Sequence, residues 1–85
     1  MATPAFESFI PRPPSGEIIS AVLRYADIEE DLGGGRILNR LSARRLRQRE
    51  VRAALGKAGV IRAAEVAVVW DAREDQVFRV LDAAA

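Results

Sequence analysis

Between residues 16 and 32 the apolar positions Ile18, Ile19, Val22, Leu23 and Ala26 recur at the spacing of one helix face. Ser15 stands where an N-cap would, and Glu17 follows in the first turn, where the dipole favours an anion. The pattern predicts a first helix over about 16–32, stopped by Gly33, Gly34 and Gly35. Its last turns would hold Asp27, Glu29, Glu30 and Asp31. Acids at a helix C-terminus oppose the macrodipole, so a cationic neighbour is expected to offset them.

Residues 36–57, "RILNRLSARRLRQREVRAALGK", have the composition of a helix. As one continuous rod they would align Ile37, Leu41, Val51 and Leu55 in a narrow seam with Gln48 inside it. Leu46 would then be stranded in solvent. A break near Ser42, which can cap a new helix, lets Leu46 turn inward. The expectation is therefore two helices, roughly 36–41 and 43–57, with the single rod as the alternative. After Gly56 and Gly59 the period changes. "EVAVVW" (65–70) and "VFRVL" (77–81) are β-branched runs separated by the polar "DAREDQ", which reads as a β-hairpin. One long helix over 60–83 is the competing reading. All four prolines, Pro4, Pro11, Pro13 and Pro14, fall in residues 1–15, together with Phe6, Phe9 and Ile10. Proline fixes φ and removes an amide donor, so this stretch reads as an extended arm that docks on its own domain or a neighbour. The expected fold is thus α+β. Two or three N-terminal helices precede a C-terminal β-hairpin in one small domain over 16–85, behind an extended Pro-rich arm over 1–15.

Composition narrows the chemistry. The 85 residues contain no cysteine and no histidine, which removes disulfides, thiolate and imidazole metal sites, and the usual general base of serine and cysteine hydrolases. No nucleophile–base pair or cofactor signature is visible, so the expectation is a non-enzymatic protein without cofactor or metal. Gly33–Gly35 matches neither a P-loop nor a dinucleotide fingerprint. Asp27, Glu30 and Asp31 would share one side of a helix, where a hard cation or an acid–base role is weaker than a clamp for nearby arginine. No apolar run is long enough to span a bilayer, and the first residues lack the basic and apolar regions of a signal peptide. A cytoplasmic setting is expected.

Charge supplies the one feature that points outward. The net charge is +1, yet residues 36–62 carry nine basic residues against Glu50 alone. Residues 1–35 carry two arginines against six acids, and residues 63–85 two against five. Twelve of the thirteen cations are arginine, which binds phosphate and carboxylate in a bidentate way. The band fits a phosphate-contacting surface, or a solvated helix face paired with acids of the same chain or of a partner subunit.

The order of elements from Arg49 to Asp82 resembles the second half of winged helix-turn-helix domains. Leu55, Gly59, Val60 and Ile61 fit the end of a recognition helix, 65–70 and 77–81 fit the strands, and Asp71–Gln76 fits the wing. The resemblance implies a DNA-binding, transcription-regulating role with Arg44, Arg45, Arg47, Arg49 and Arg52 on or beside the groove-facing helix. It departs from the family in its wing, where Asp71, Glu74 and Asp75 outweigh Arg73, since phosphates repel carboxylates. The expected function is nucleic-acid binding, DNA ahead of RNA, by a homo-oligomer, with Arg40, Arg44, Arg45, Arg47, Arg49 and Arg52 as the contact set. The alternative is an accessory or assembly subunit whose arginines meet acidic protein surfaces.

Overall fold

The computed structural model describes residues 14–83. The elements run α1 (Gly16–Tyr25), β1 (Ile28–Gly33), β2 (Arg36–Arg40), α2 (Ala43–Leu46), α3 (Arg49–Ala63), β3 (Val66–Asp71) and β4 (Gln76–Asp82). The strands form one antiparallel sheet in the order β1-β2-β3-β4. The mixed helix and antiparallel-sheet class is as expected, and the second hairpin lies where the valine-rich runs placed it. The expectation for the arm falls outside the described residues over 1–13.

The order of elements differs from the sequence expectation. The first helix ends at Tyr25 instead of reaching residue 32. Its N-cap is Ser15, whose side chain accepts from the Ile18 amide at 3.3 Å. The chain leaves the helix at Ala26, with ψ at 134°, so the acids Glu29–Asp31 enter a strand. The conflict between those acids and the dipole is thereby removed, not offset. Residues 36–40 are also strand, not helix, and a hairpin therefore separates α1 from α2. The three glycines explain it. Gly33 pairs with Arg36, and Gly34 and Gly35 between them have φ of 64° and 83°. Two central residues at positive φ are what a type I′ hairpin turn requires, and glycine adopts them without strain.

The core lies between the helices and one face of the sheet. Ile18 and Val22 of α1, Leu41 and Leu46 around α2, Val51 and Ala63 of α3, and Val66 and Val68 of β3 form one buried cluster. Leu46 is inward, as the break at Ser42 implied. The break after it was not anticipated. The chain turns again at Arg47 and Gln48 before α3, and α3 itself kinks at Gly56, with φ 71° and ψ 172°. The stretch 43–57 is therefore not one helix. The three fully buried large side chains are all valines, Val22, Val51 and Val68.

The opposite face of the sheet carries the residues that alternate with those. Val69 is only 3% exposed yet stands outside the helix-side cluster. It is flanked in register by Leu38 and Arg79. Among the described residues no helix packs on this face.

Candidate functional site

The arginines are held out by a chain of hydrogen bonds that begins at the end of α1. Asp27 accepts from the Ser42 amide at 2.8 Å and from the Ser42 hydroxyl at 2.6 Å. Ser42 in turn caps α2, its hydroxyl accepting from the Arg45 amide at 3.1 Å. These bonds from Ser42, first its hydroxyl and then its amide, hold the Asp27 carboxyl below the usual aspartate range. Asp27 was expected on a helix face beside Glu30 and Asp31. It is a loop residue that ties α1 to α2 across the first hairpin, and the other two lie in β1.

Arg45 completes that tie. Its Nε donates to the Tyr25 carbonyl at 2.8 Å, and Nη1 meets Glu50 Oε1 at 2.8 Å and also donates to Gln48. Its guanidinium lies 5.5 Å from the Tyr25 ring centroid. Its side chain is half-buried, and Glu50, the acid within the basic band, is spent on it. Arg62 is similarly engaged. It donates to Asp82 Oδ1 at 2.8 Å and to Glu65 at 3.1 Å, and these bonds, led by the one to Asp82, raise its pKa. Arg36 lies 3.9 Å from Asp71 and stacks over Phe78, 3.7 Å from the ring centroid.

Among the other cations, Arg44, Arg47, Arg49 and Arg52 are all exposed, on α2, the turn after it and the first half of α3. Among the described residues no carboxylate lies within ion-pair distance of these four. Arg47, Arg49 and Arg52 converge on one shallow depression with Ala53. Arg47 and Arg52 also rim a neighbouring groove of about 540 Å³, together with Lys57. Its apolar wall is Leu46, Val60 and Ile61, and Ile61 is 62% exposed. The Gly56 kink opens onto this groove. Arg40 stands apart at the end of β2, in a depression shared with Glu65 and Asp82.

Of the six arginines read from the sequence, three converge on one depression, Arg44 is exposed on the adjoining α2, one is a tie between helices, and one is remote. The groove was not legible, because its lining comes from both sides of a kink that no single periodicity describes. Val60 and Ile61 were singled out only as the end of a recognition helix, and nothing in the sequence marked Lys57 as a groove residue.

Among the described residues no group of three or more His, Cys, Asp or Glu side chains could hold a metal ion. Among the same residues no helix is long and apolar enough to cross a membrane. No family model, curated protein or solved structure matches the chain.

Proposed function

We propose that the protein is a non-enzymatic nucleic-acid-binding protein that grips duplex DNA phosphates through Arg44, Arg47, Arg49 and Arg52. The observation that carries this reading is the division of labour among cations. Arg45 and Arg62 consume nearby carboxylates, whereas the four patch arginines face solvent with none within reach. Four guanidinium groups within nine residues make a dense positive surface, and phosphate backbones are the polyanions that arginine matches in a bidentate way. Arg45 acts as a positioning residue that sets α2 against Tyr25, and Arg40 lies outside the grip. The two helices joined at Arg47–Gln48 and followed by the β3–β4 hairpin support the winged helix-turn-helix likeness in element order. Against a full match stand the one-turn α2, the kinked α3 and the acidic residues Glu74 and Asp75 at the hairpin tip.

Titration of labelled duplex DNA at two salt concentrations tests the reading. Binding should weaken steeply with salt, and Arg47→Ala with Arg52→Ala should lower the log–log salt slope by about two. Binding that ignores salt, or no binding at low salt, removes the proposal.

A second reading follows from the groove. Phosphate contact has no use for an apolar wall, whereas an acidic amphipathic segment of another protein fits Leu46, Val60 and Ile61 beneath Arg47, Arg52 and Lys57. Ile61→Ser separates the two. It leaves DNA affinity unchanged under the first reading and lowers partner affinity under the second.

A further inference from the structure

The face of the sheet turned away from the described helices carries a row whose ends are opposite in charge. Register places Glu30 opposite Leu38, Leu38 opposite Val69, and Val69 opposite Arg79. Residues directly opposite each other share a face, so Glu30, Leu38, Val69 and Arg79 form one straight line across all four strands. Glu30 and Arg79 are both exposed, and among the described residues neither has an ion-pair partner. The same face presents Leu81, 37% exposed and opposite Ala67, and Phe78, 47% exposed at the register shift and stacked with Arg36. The interior, by contrast, has no fully buried side chain larger than valine. A chain this short that keeps Phe78 and Leu81 exposed on one sheet face has surface left to bury.

We propose that this face packs against the same face of a second copy, about a two-fold axis running along the strands. Such an axis turns the row over and reverses it. Arg79 of each copy then faces Glu30 of the other, while Leu38 of each copy lies over the position of the other's buried Val69 across the middle. The surface is self-complementary, the condition a closed two-fold dimer imposes. Phe78 and Leu81 lie beside the row and supply further apolar area. Strands about 4.8 Å apart, with roughly six residues of about 3.3 Å each, give a footprint on the order of 400 Å² per copy. That is about half of the ~800 Å² per partner in a standard stable interface, so the dimer forms reversibly with concentration. The proposal is independent of the arginine patch, which lies on the helical layer.

Sedimentation equilibrium of the full chain, from micromolar to millimolar concentration, tests it. The parent should pass reversibly from monomer to dimer. Arg79→Glu alone and Glu30→Arg alone should each weaken dimerisation by about tenfold, because each sets like charges face to face. The double reversal, Arg79→Glu with Glu30→Arg, should restore it to within about threefold. Leu81→Glu should weaken it at least as much as either single reversal. Arg47→Ala should leave the dimer unchanged while it weakens DNA binding. A monomer at every concentration overturns the proposal and assigns the face to another segment of the chain or to a different partner. A dimer indifferent to both charge reversals overturns it as well, by placing the contact elsewhere.

Discussion

The two hairpins are built on opposite terms. In the second, β3 buries Val66, Val68, Val69 and Asp71, so both of its faces are shielded. In the first, β1 is exposed from Glu29 to Gly33 and carries three consecutive acids. One hairpin exists because its residues favour extended backbone and its inner strand β3 is buried, while β4 stays largely exposed. The other exists because β2 has a place beside β3, Leu38 opposite Val69, and because glycines allow the chain to return along it. Burial drives the former, and turn geometry with a borrowed neighbour drives the latter. The acids of β1 also serve the sheet edge, since like charges discourage the strand from pairing with another edge of its own kind.

This contrast can be broken most severely at its buried end. Val68→Ala removes a fully enclosed side chain and should cost about 2–3 kcal/mol by denaturant titration, with both hairpins lost in one transition. A smaller effect is expected in the first turn. Gly34→Ala forces a Cβ into φ of 64° with no contact to relieve, and should cost about 1–2 kcal/mol. Because the first hairpin depends on its turn, amide exchange should rise in β1 and stay slow in β3. The smallest effect concerns the approach to the first hairpin. The depressed pKa of Asp27 means that its bonds to Ser42 favour the carboxylate over the acid. Their contribution is present above the ordinary aspartate pKa, about 4, and is lost as pH falls through the lower folded value. Exchange at the Ser42 and Arg45 amides should accelerate in that acid window, and Asp27→Asn should flatten the response.

The same contrast explains what the sequence disclosed. The second hairpin was legible because alternation at Val66, Val68 and Trp70 is a local signal. Ser15 and Ser42 were legible as caps because capping is decided within three residues. The first hairpin was hidden because Glu29, Glu30 and Asp31 extend a helical pattern, and only pairing with distant residues makes them a strand. In the arginine patch, charge density and exposure could be foreseen. The withdrawal of Arg45 could not, since its partner is the Tyr25 carbonyl, twenty positions earlier. The second helix was expected to stop near residue 57, yet α3 bends at Gly56 and continues to Ala63, because Val60 and Ala63 still find the core.

That the most deeply buried large side chains are valines has a consequence for how sharply the layers are defined. Valine has one rotatable side-chain bond, and branching at Cβ already restricts it before folding. Val22, Val51 and Val68 therefore surrender little freedom when enclosed, and offer few alternative postures once there. The helical layer is keyed to the sheet by stiff, short pegs, so the joint has little tolerance for added bulk and little room to slide.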